Sequence, residues 1–317
     1  MTAPESVLVS VIVATNRAGE FLDEAIGSLA AQSETRYELI VVDDGSPDPT
    51  AVRQAAAAVG GAVVLRQAPG GPAAARNAGV RRARGRWLAF LDDDDRWHPD
   101  RLAAQLARFD ADAAAVAGYC GMRTIDARGE VLIDADQVAV DDEADIARRR
   151  TGIILPNLMV RTDVFTEVGG FDPALRLAED LDLLLRVAQR GPVVFEPRPL
   201  VDYRTHGDNV TRRFRSLVDA IGGVLRRHRA AAETRGETAL VAAFDESLRK
   251  NDRYAWWAAG RAARASWAER HPATAVGHLC WALRTAPAGL LDGLRRRVRA
   301  QTPTMGAERG LIDGGLS

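Results

Sequence analysis

The chain has 317 residues, of which 47% are apolar and 27% are charged, and this balance excludes a generally disordered chain. It contains no run of about 18 uncharged apolar residues, so the sequence predicts no membrane-spanning helix. The net charge of −1 hides an asymmetry, because residues 1–206 hold 23 basic and 32 acidic side chains, whereas residues 207–317 hold 19 and 11.

Short apolar runs alternate with amphipathic segments through the N-terminal part of the chain. Apolar, β-branched runs of this length predict buried strands, and apolar side chains at helical spacing predict helices between them. The alternation predicts an α/β fold with a doubly wound, mostly parallel sheet and flanking helices. The predicted strands are Val7–Ala14, Glu38–Val42, Ala62–Arg66 and Trp87–Leu91, and the predicted helices are Glu20–Gln32, Thr50–Val59 and Ala73–Arg84.

The pattern weakens after residue 110, and residues 111–150 predict short strands with a variable loop. We then expect a strand over 151–160, helices over 162–168 and 179–189, and closing strands over 193–195 and 200–203. After Asn209 the chain is rich in Ala and Arg and predicts helices to about Arg299. The sequence therefore predicts two domains, an α/β domain of residues 1–210 and a basic helical extension of residues 211–317.

Polar loops follow three of the predicted strands: Thr15-Asn16-Arg17, Asp43-Asp44-Gly45-Ser46 and Asp92-Asp93-Asp94-Asp95. Because parallel sheets bind ligands at the carboxyl ends of their strands, we expect these loops to converge on one edge. Four adjacent carboxylates repel one another unless something positive lies beside them. A divalent cation that carries a diphosphate would suit such oxygen ligands, and a solvated acidic turn is the alternative.

Seven segments with distinctive motifs follow one another over residues 7–210. They are Val9–Thr15, Ser28–Gln32, Glu38–Ser46, Ala75–Gly79, Phe90–Asp95, Val168–Asp172 with Glu179–Asp182, and Tyr203–His206. Together they resemble family 2, GT-A-fold glycosyltransferases. The resemblance implies an inverting, metal-dependent enzyme of polysaccharide or glycoconjugate biosynthesis that moves a sugar from a nucleotide-diphospho sugar to an acceptor hydroxyl. A UDP- or dTDP-linked donor is favoured, and the acceptor would be a glycan, a lipid-linked molecule or a small molecule.

The resemblance also implies which residues contact the donor. Asp44 would accept a hydrogen bond from the nucleotide base, with Thr15 nearby; a carboxylate only accepts, so it suits an N–H donor such as N3 of uracil or thymine. A turn after a strand is the structural alternative for Asp43 and Asp44. Asp92 or Asp93 would hold the ribose or reach the metal through water. Arg76 would pair either with a phosphate or with one of the aspartates.

For the metal, the resemblance implies that Asp94 ligates Mg²⁺ or Mn²⁺. His206 would either join it as a ligand or take a capping or diphosphate-contacting role. Asp180 would be the general base, with Glu179 as the second choice, although carboxylates at the start of a helix are also favoured by the helix dipole. We expect Asp95 to cap the segment that follows it.

One segment departs from the family pattern, which usually has an aromatic residue after the threonine of the first loop. Here the order is Thr15-Asn16-Arg17, and we assign no contact to Asn16 or Arg17. A nucleotidyltransferase is an alternative function, but the segment lacks the Gly-rich basic phosphate loop that such an enzyme usually needs. A catalytically inactive partner protein that binds a sugar nucleotide is another, and the presence of Asp94 and Asp180 argues against it.

The basic helical extension of residues 211–317, the tail, carries aromatic residues among Ala and Arg. It would either pack on the catalytic domain or attach to an anionic membrane. Leu290, Leu291 and Leu294 with Arg295–Arg297 are the best local candidate for such an attachment. We expect a cytoplasmic protein, either free or peripheral at the inner face of the membrane, because no signal-peptide pattern is seen and two cysteines are too few for a disulfide framework. No motif indicates a nucleic-acid partner.

Overall fold

The computed structural model describes residues 7–206 and 214–289. They belong to two compact units, one of residues 7–146 and 150–206 and one of residues 147–149 and 214–289. Within residues 7–206, nine strands form one sheet in the order β3-β2-β1-β4-β8-β6-β9-β5, with β7 beside β6. The strands are β1 Val9–Thr15, β2 Tyr37–Asp44, β3 Val63–Gln67, β4 Trp87–Phe90, β5 Arg96–Trp97, β6 Ala117–Ile125, β7 Val131–Ile133, β8 Leu158–Arg161 and β9 Val193–Arg204.

Helices cover both faces of this sheet, which confirms the predicted α/β class. Alternate residues of a strand point to opposite faces. Val11 of β1 belongs to the core cluster that contains Ile26 of the first helix, whereas Ile40 and Val42 of β2 pack in a separate cluster with Ala75 of the third. The helices of this unit are α1 Glu20–Ala30, α2 Pro49–Ala56, α3 Pro72–Val80, α4 Arg101–Ala111, α5 Glu143–Ala147, α6 Thr162–Glu167 and α7 Glu179–Ala188.

The sheet is parallel in its N-terminal half and mixed beyond it. Strands β1 to β4 pair in parallel, but β8 runs antiparallel to both β4 and β6. The strand predicted over 151–160 begins only at Leu158, because a 3₁₀ turn precedes it. The side chain of Asn157 stabilises that turn by donating to the carbonyl oxygens of Cys120 and Gly152 and accepting from the Ile154 amide.

The two predicted closing strands are one strand, β9, with shifts in its register against β6. Pro197 and Pro199 stand at this irregularity and have no N–H to donate to the ladder. The sequence prediction divided the strand at these prolines, whereas the sheet accommodates them by a local shift. As a result β9 reaches from the middle of the sheet to Arg204, next to the loop that follows β4.

The second unit is helical, as predicted for the tail, with α8 Phe214–Thr234, α9 Thr238–Ala268 and α10 Pro272–Thr285. Val218, Ala255 and Ala286 form its small buried cluster, and the Trp256 indole donates to the Ala286 carbonyl oxygen at 2.7 Å. In the described part of the chain, no helix combines the length and apolarity that crossing a bilayer requires. The predicted membrane segment, Leu290 to Arg297, lies outside the described residues.

A glycine allows the connection before β4 to lie directly against β1. A Cβ atom added to Gly85 would lie 2.5 Å from the backbone nitrogen of Ser10. The same close approach lets the Ser10 hydroxyl accept from the Gly85 amide at 2.8 Å and donate to Glu38 at 2.6 Å. Gly85 therefore aligns β4 beside β1, and with β4 the acidic segment Asp92–Asp95 that follows it, the Asp run.

We predict that Gly85→Ala lowers the free energy of unfolding by about 1–3 kcal/mol, because the added methyl group meets backbone that cannot easily move. Urea denaturation checks this. The matched control is Gly27→Ala inside α1, where nothing lies within 4 Å of the added Cβ, and this variant should be as stable as the native chain or up to about 1 kcal/mol more stable. Equal stability of the Gly85→Ala protein and the native chain would contradict this packing.

Candidate active site

The three polar loops meet at the carboxyl ends of β1, β2 and β4, as the strand order requires. Thr15 at the end of β1 is in register with Asp43 of β2. The hydroxyl of Thr15 lies 2.5 Å from Asp93 Oδ2 and 2.6 Å from the Arg17 carbonyl oxygen, and its single proton can be donated to one of them at a time. The structure thus brings the loops after β1 and β4 into direct contact.

The Asp run is not a solvated acidic turn, because each carboxylate has its own partner inside the protein. Arg76 Nη2 donates to Asp92 Oδ1 at 2.6 Å, and Arg17 Nη2 donates to Asp93 Oδ1 at 2.9 Å. Arg17 Nη2 also donates to Asp94 Oδ2 at 2.9 Å, and Asp95 accepts from a backbone amide. The positive charges of Arg76 and Arg17 therefore offset part of the repulsion among these neighbouring carboxylates.

Asp95 corrects one prediction, since it does not cap the segment after it. Helix α4 begins after Asp100, and Asp95 Oδ1 instead accepts from the backbone amide of Arg204 at 2.8 Å. Asp95 is buried, and within the described residues its Oδ2 has no hydrogen-bond partner. Burial, together with the charges of Asp94 and Asp92, raises the pKa of Asp95 well above its usual range. Asp95 is therefore a link between the Asp run and β9.

Asp94 and His206, the predicted metal ligands, lie together. Asp94 Oδ2 is 2.8 Å from His206 Nε2, and His206 is buried with its ring 5.2 Å from that of Phe21. Across the described ranges, no three His, Cys, Asp or Glu side chains form a complete metal cage. A carboxylate and an imidazole fit a Mn²⁺ or Mg²⁺ ion that takes its remaining ligands from a diphosphate and water, because such ions commonly use one or two protein ligands plus substrate phosphates.

Arg17 lies in the site, although we predicted no contact for it from the sequence. Its Nη2 donates to Asp93 Oδ1 and to Asp94 Oδ2, each at 2.9 Å. Burial would lower the pKa of Arg17, but the two carboxylates outweigh it and raise that pKa. The sequence did hold one indication of this role. Arg17 lies two residues after Thr15, in a loop that the fold places at the edge where the three polar loops meet.

Arg204 is a second such residue. Its side chain is buried; Nε donates to the Asp94 carbonyl oxygen at 2.9 Å and Nη1 to that of Ala127 at 3.1 Å, while Nη2 forms an ion pair with Glu24. Its guanidinium carbon also lies 4.8 Å from the centre of the Phe21 ring. Since His206 follows two residues later, Arg204 fixes the position of that histidine relative to the Asp run.

Asp43 and Asp44 have different roles. Asp43 Oδ1 accepts from the Ser46 amide at 2.7 Å and Oδ2 pairs with Arg66, so the turn interpretation applies to Asp43. Burial opposes these bonds, but together they lower the pKa of Asp43. Asp44 accepts from Gln67 Nε2 and from the amides of Gly70 and Gly71, each at 2.8 Å. A carboxylate has about four acceptor positions, so one stays available for a ligand N–H.

Arg76 connects the Asp run to α7. Of the two predicted partners, the structure shows the carboxylate one, because Nη2 pairs with Asp92 at 2.6 Å and Nη1 with Glu179 at 2.7 Å. Burial lowers the pKa of Arg76, but the charges of Asp92 and Glu179 outweigh it and raise that pKa. One guanidinium therefore sets the distance between the end of β4 and the start of α7.

The start of α7 is held in a constrained conformation. Ala178, the residue before the helix, adopts a left-handed backbone with φ of 60°, which is uncommon for a residue other than glycine. Asp180 Oδ1 accepts from the Leu181 amide at 2.7 Å. Burial and the charge of Glu179 raise the pKa of Asp180 to about 6, against the opposing effect of Arg76. Asp182 is structural, since it pairs with Arg186 one turn later.

Asn77 of α3 binds the turn that lies before α7 in the chain. Its amide nitrogen donates to the Phe171 carbonyl oxygen at 2.8 Å, and its amide oxygen accepts from the Phe171 backbone nitrogen at 3.0 Å. Phe171 packs edge-to-face against Phe90 of β4. The Gly169-Gly170-Phe171 turn is thereby fixed to the sheet, and the helix that carries Asp180 follows from it.

This fold is similar to that of S. aureus TarS. A structure of S. aureus TarS in complex with UDP-GlcNAc has a TM-score of 0.52 at 17% identity, over 84% of this chain and 88% of that one. Another TarS structure gives 0.55 at 20% identity, over 69% of this chain and 39% of that one. The predicted GT-A fold with a C-terminal helical region is confirmed.

The family follows from the sequence comparisons. The model of Glycosyl transferase family 2 matches residues 10–151. Succinoglycan biosynthesis protein ExoO of Rhizobium meliloti is 31% identical over 245 residues, which are 69% of this chain and 68% of that protein. An uncharacterized glycosyltransferase of Rickettsia prowazekii is 29% identical over 213 residues, 65% of this chain and 66% of its own length. The chain belongs to glycosyl transferase family 2, as its motifs predicted.

We predict that Arg204→Lys lowers the free energy of unfolding by about 2 kcal/mol, because an ammonium group cannot replace the several directed hydrogen bonds of the buried guanidinium. Urea denaturation measures the change. Arg96→Lys is the matched control, since Arg96 also pairs with Glu24 but its side chain is 33% exposed, and we expect a loss below about 1 kcal/mol. Equal losses in the two variants would contradict the role assigned to Arg204.

Proposed function

We propose that this chain transfers a sugar from a nucleotide-diphospho sugar to an acceptor hydroxyl with inversion at the anomeric carbon, and that Asp180 is the general base. The observation that carries the proposal is the Arg76 bridge, which holds the start of α7 beside the Asp run through Glu179 and Asp92. A base and a diphosphate-binding edge have to lie on either side of one reacting carbon, and this bridge brings the two together.

Asp180 suits the role of base better than Glu179. The Leu181 amide occupies Asp180 Oδ1, and Oδ2 stays available to an acceptor hydroxyl. A pKa of about 6 leaves Asp180 ionised at neutral pH and still basic enough to accept a proton in the transition state. Glu179 forms an ion pair with the buried Arg76, so we assign it the role of a positioning residue.

The proposed reaction exchanges one bond at the anomeric carbon for another and transfers one proton to Asp180. Asp180 takes the proton of the acceptor hydroxyl, and the hydroxyl oxygen forms a bond to the anomeric carbon. The bond between that carbon and the diphosphate oxygen breaks, and its electron pair leaves with the nucleoside diphosphate. A Mg²⁺ or Mn²⁺ ion held by Asp94 and His206 would neutralise the charge that develops on this leaving group.

The nucleotide would lie along the edge formed by Asp44, Thr15, Asp92 and Asp93. Asp44 keeps one acceptor position for an N–H of the base, which favours uracil or thymine. UDP-GlcNAc, the ligand in the TarS complex, is a donor of this class. The name of ExoO supports a role in polysaccharide biosynthesis. The acceptor class and any contact of the tail with a membrane stay predictions from the sequence.

We predict that Asp180→Asn reduces transfer by 10²- to 10⁴-fold, the usual contribution of a general base, while nucleotide binding is retained. The measurement is release of UDP or dTDP from a panel of sugar nucleotides with Mn²⁺, alongside the thermal shift that each nucleotide causes. The native enzyme should lose kcat/KM as the pH falls through about 6, because Asp180 becomes protonated, and should reach a plateau above that pH.

The control is Asp182→Asn on the same helix, which should keep the activity because Asp182 pairs with Arg186 instead of facing an acceptor. Full activity of Asp180→Asn would reject the base assignment. Nucleotide binding without sugar release in the native chain would favour the catalytically inactive partner protein, and exchange of a nucleotidyl group would favour the nucleotidyltransferase.

A further inference from the structure

Arg17 contacts the oxygen atom that is proposed to bind the divalent ion. Its Nη2 is 2.9 Å from Asp94 Oδ2, and the same oxygen is 2.8 Å from His206 Nε2. The second contact of Arg17 is with Asp93 Oδ1, at 2.9 Å. The single positive charge of the guanidinium group therefore offsets part of the negative charge of these two carboxylates.

Arg17 differs from the other arginines of the site in how firmly it is held. The side chains of Arg76 and Arg204 are 10% and 2% exposed, and their partners lie on separate elements of the fold. The side chain of Arg17 is 38% exposed. In the part of the chain that the structure describes, its guanidinium contacts are with Asp93 and Asp94. Arg17 can therefore leave these carboxylates without disturbing a packed core.

We propose that Arg17 is an exchangeable counter-cation, which holds Asp93 and Asp94 in the free enzyme and moves to the diphosphate when the donor binds. This inference rests on the proposed function. A divalent ion that arrives alone meets the positive charge of Arg17, and a diphosphate that arrives alone meets the two carboxylates. An ion and a diphosphate that arrive together nearly cancel each other's charge, so Arg17 couples the two binding events.

The test is the affinity for Mn²⁺ of the full chain, measured from the electron paramagnetic resonance signal of free Mn²⁺ with and without UDP. Without UDP, Arg17→Ala should bind Mn²⁺ about tenfold more tightly than the native protein, because no cation has to be displaced from Asp94. UDP should raise the Mn²⁺ affinity of the native protein by a factor at least tenfold larger than that of the variant.

Two further variants separate this effect from a general change of charge. Arg161→Ala removes the same charge at the other end of β4, where Arg161 is in register with Trp87 and pairs with Asp163, and its Mn²⁺ affinity should stay within twofold of the native value. Arg17→Lys keeps the charge but loses the forked donor, and its UDP-dependent gain should be intermediate.

Equal Mn²⁺ affinities of the native protein and Arg17→Ala without UDP would overturn the inference and leave the proposed function standing. Binding of UDP without any binding of Mn²⁺ would overturn the inference and the use of a metal. Failure of every variant to bind either Mn²⁺ or UDP would overturn the proposed function as well.

Discussion

Repulsion between carboxylates at the carboxyl ends of β2 and β4 is the constraint on which the rest of this site depends. The run Asp92–Asp95 is stable there because Arg76 pairs with Asp92, Arg17 pairs with Asp93 and Asp94, and the backbone amide of Arg204 donates to Asp95. These contacts also determine geometry, because each of them connects an aspartate to another element. The same interactions that make an acidic edge tolerable therefore hold its chemical groups in place.

The connections run in two directions from the end of β4. Through Arg76 the run is joined to the start of α7, where Asp180 has a raised pKa. Through Asp95 and Arg204 it is joined to the end of β9, two residues before His206. The proposed base on one side and the proposed metal-binding pair on the other are thereby positioned by two buried arginines. Arg17 differs from both arginines, because its side chain is 38% exposed.

Much of this architecture could be predicted from the sequence. The first four strands lie within two residues of their predicted bounds, because apolar runs and short loops are local signals. The convergence of the three polar loops followed from the parallel topology alone. What could not be predicted depends on contacts between distant residues: Asp95 accepts from Arg204, which is 109 positions away, so the expected local cap was wrong. Strand β9 was divided in the prediction, because two prolines look like a break when the pairing with β6 is unknown.

The proposed function requires this acidic edge to bind the diphosphate of a nucleotide sugar through a divalent ion. A crystal structure of the full chain with UDP and Mn²⁺ would reveal that binding. We expect an ion bonded to Asp94 Oδ2, His206 Nε2 and diphosphate oxygens, the base N–H on Asp44, and Asp180 on the far side of the diphosphate. UDP bound elsewhere, or bound at this edge with Arg17 still paired to Asp94 and no ion present, would rule this binding mode out.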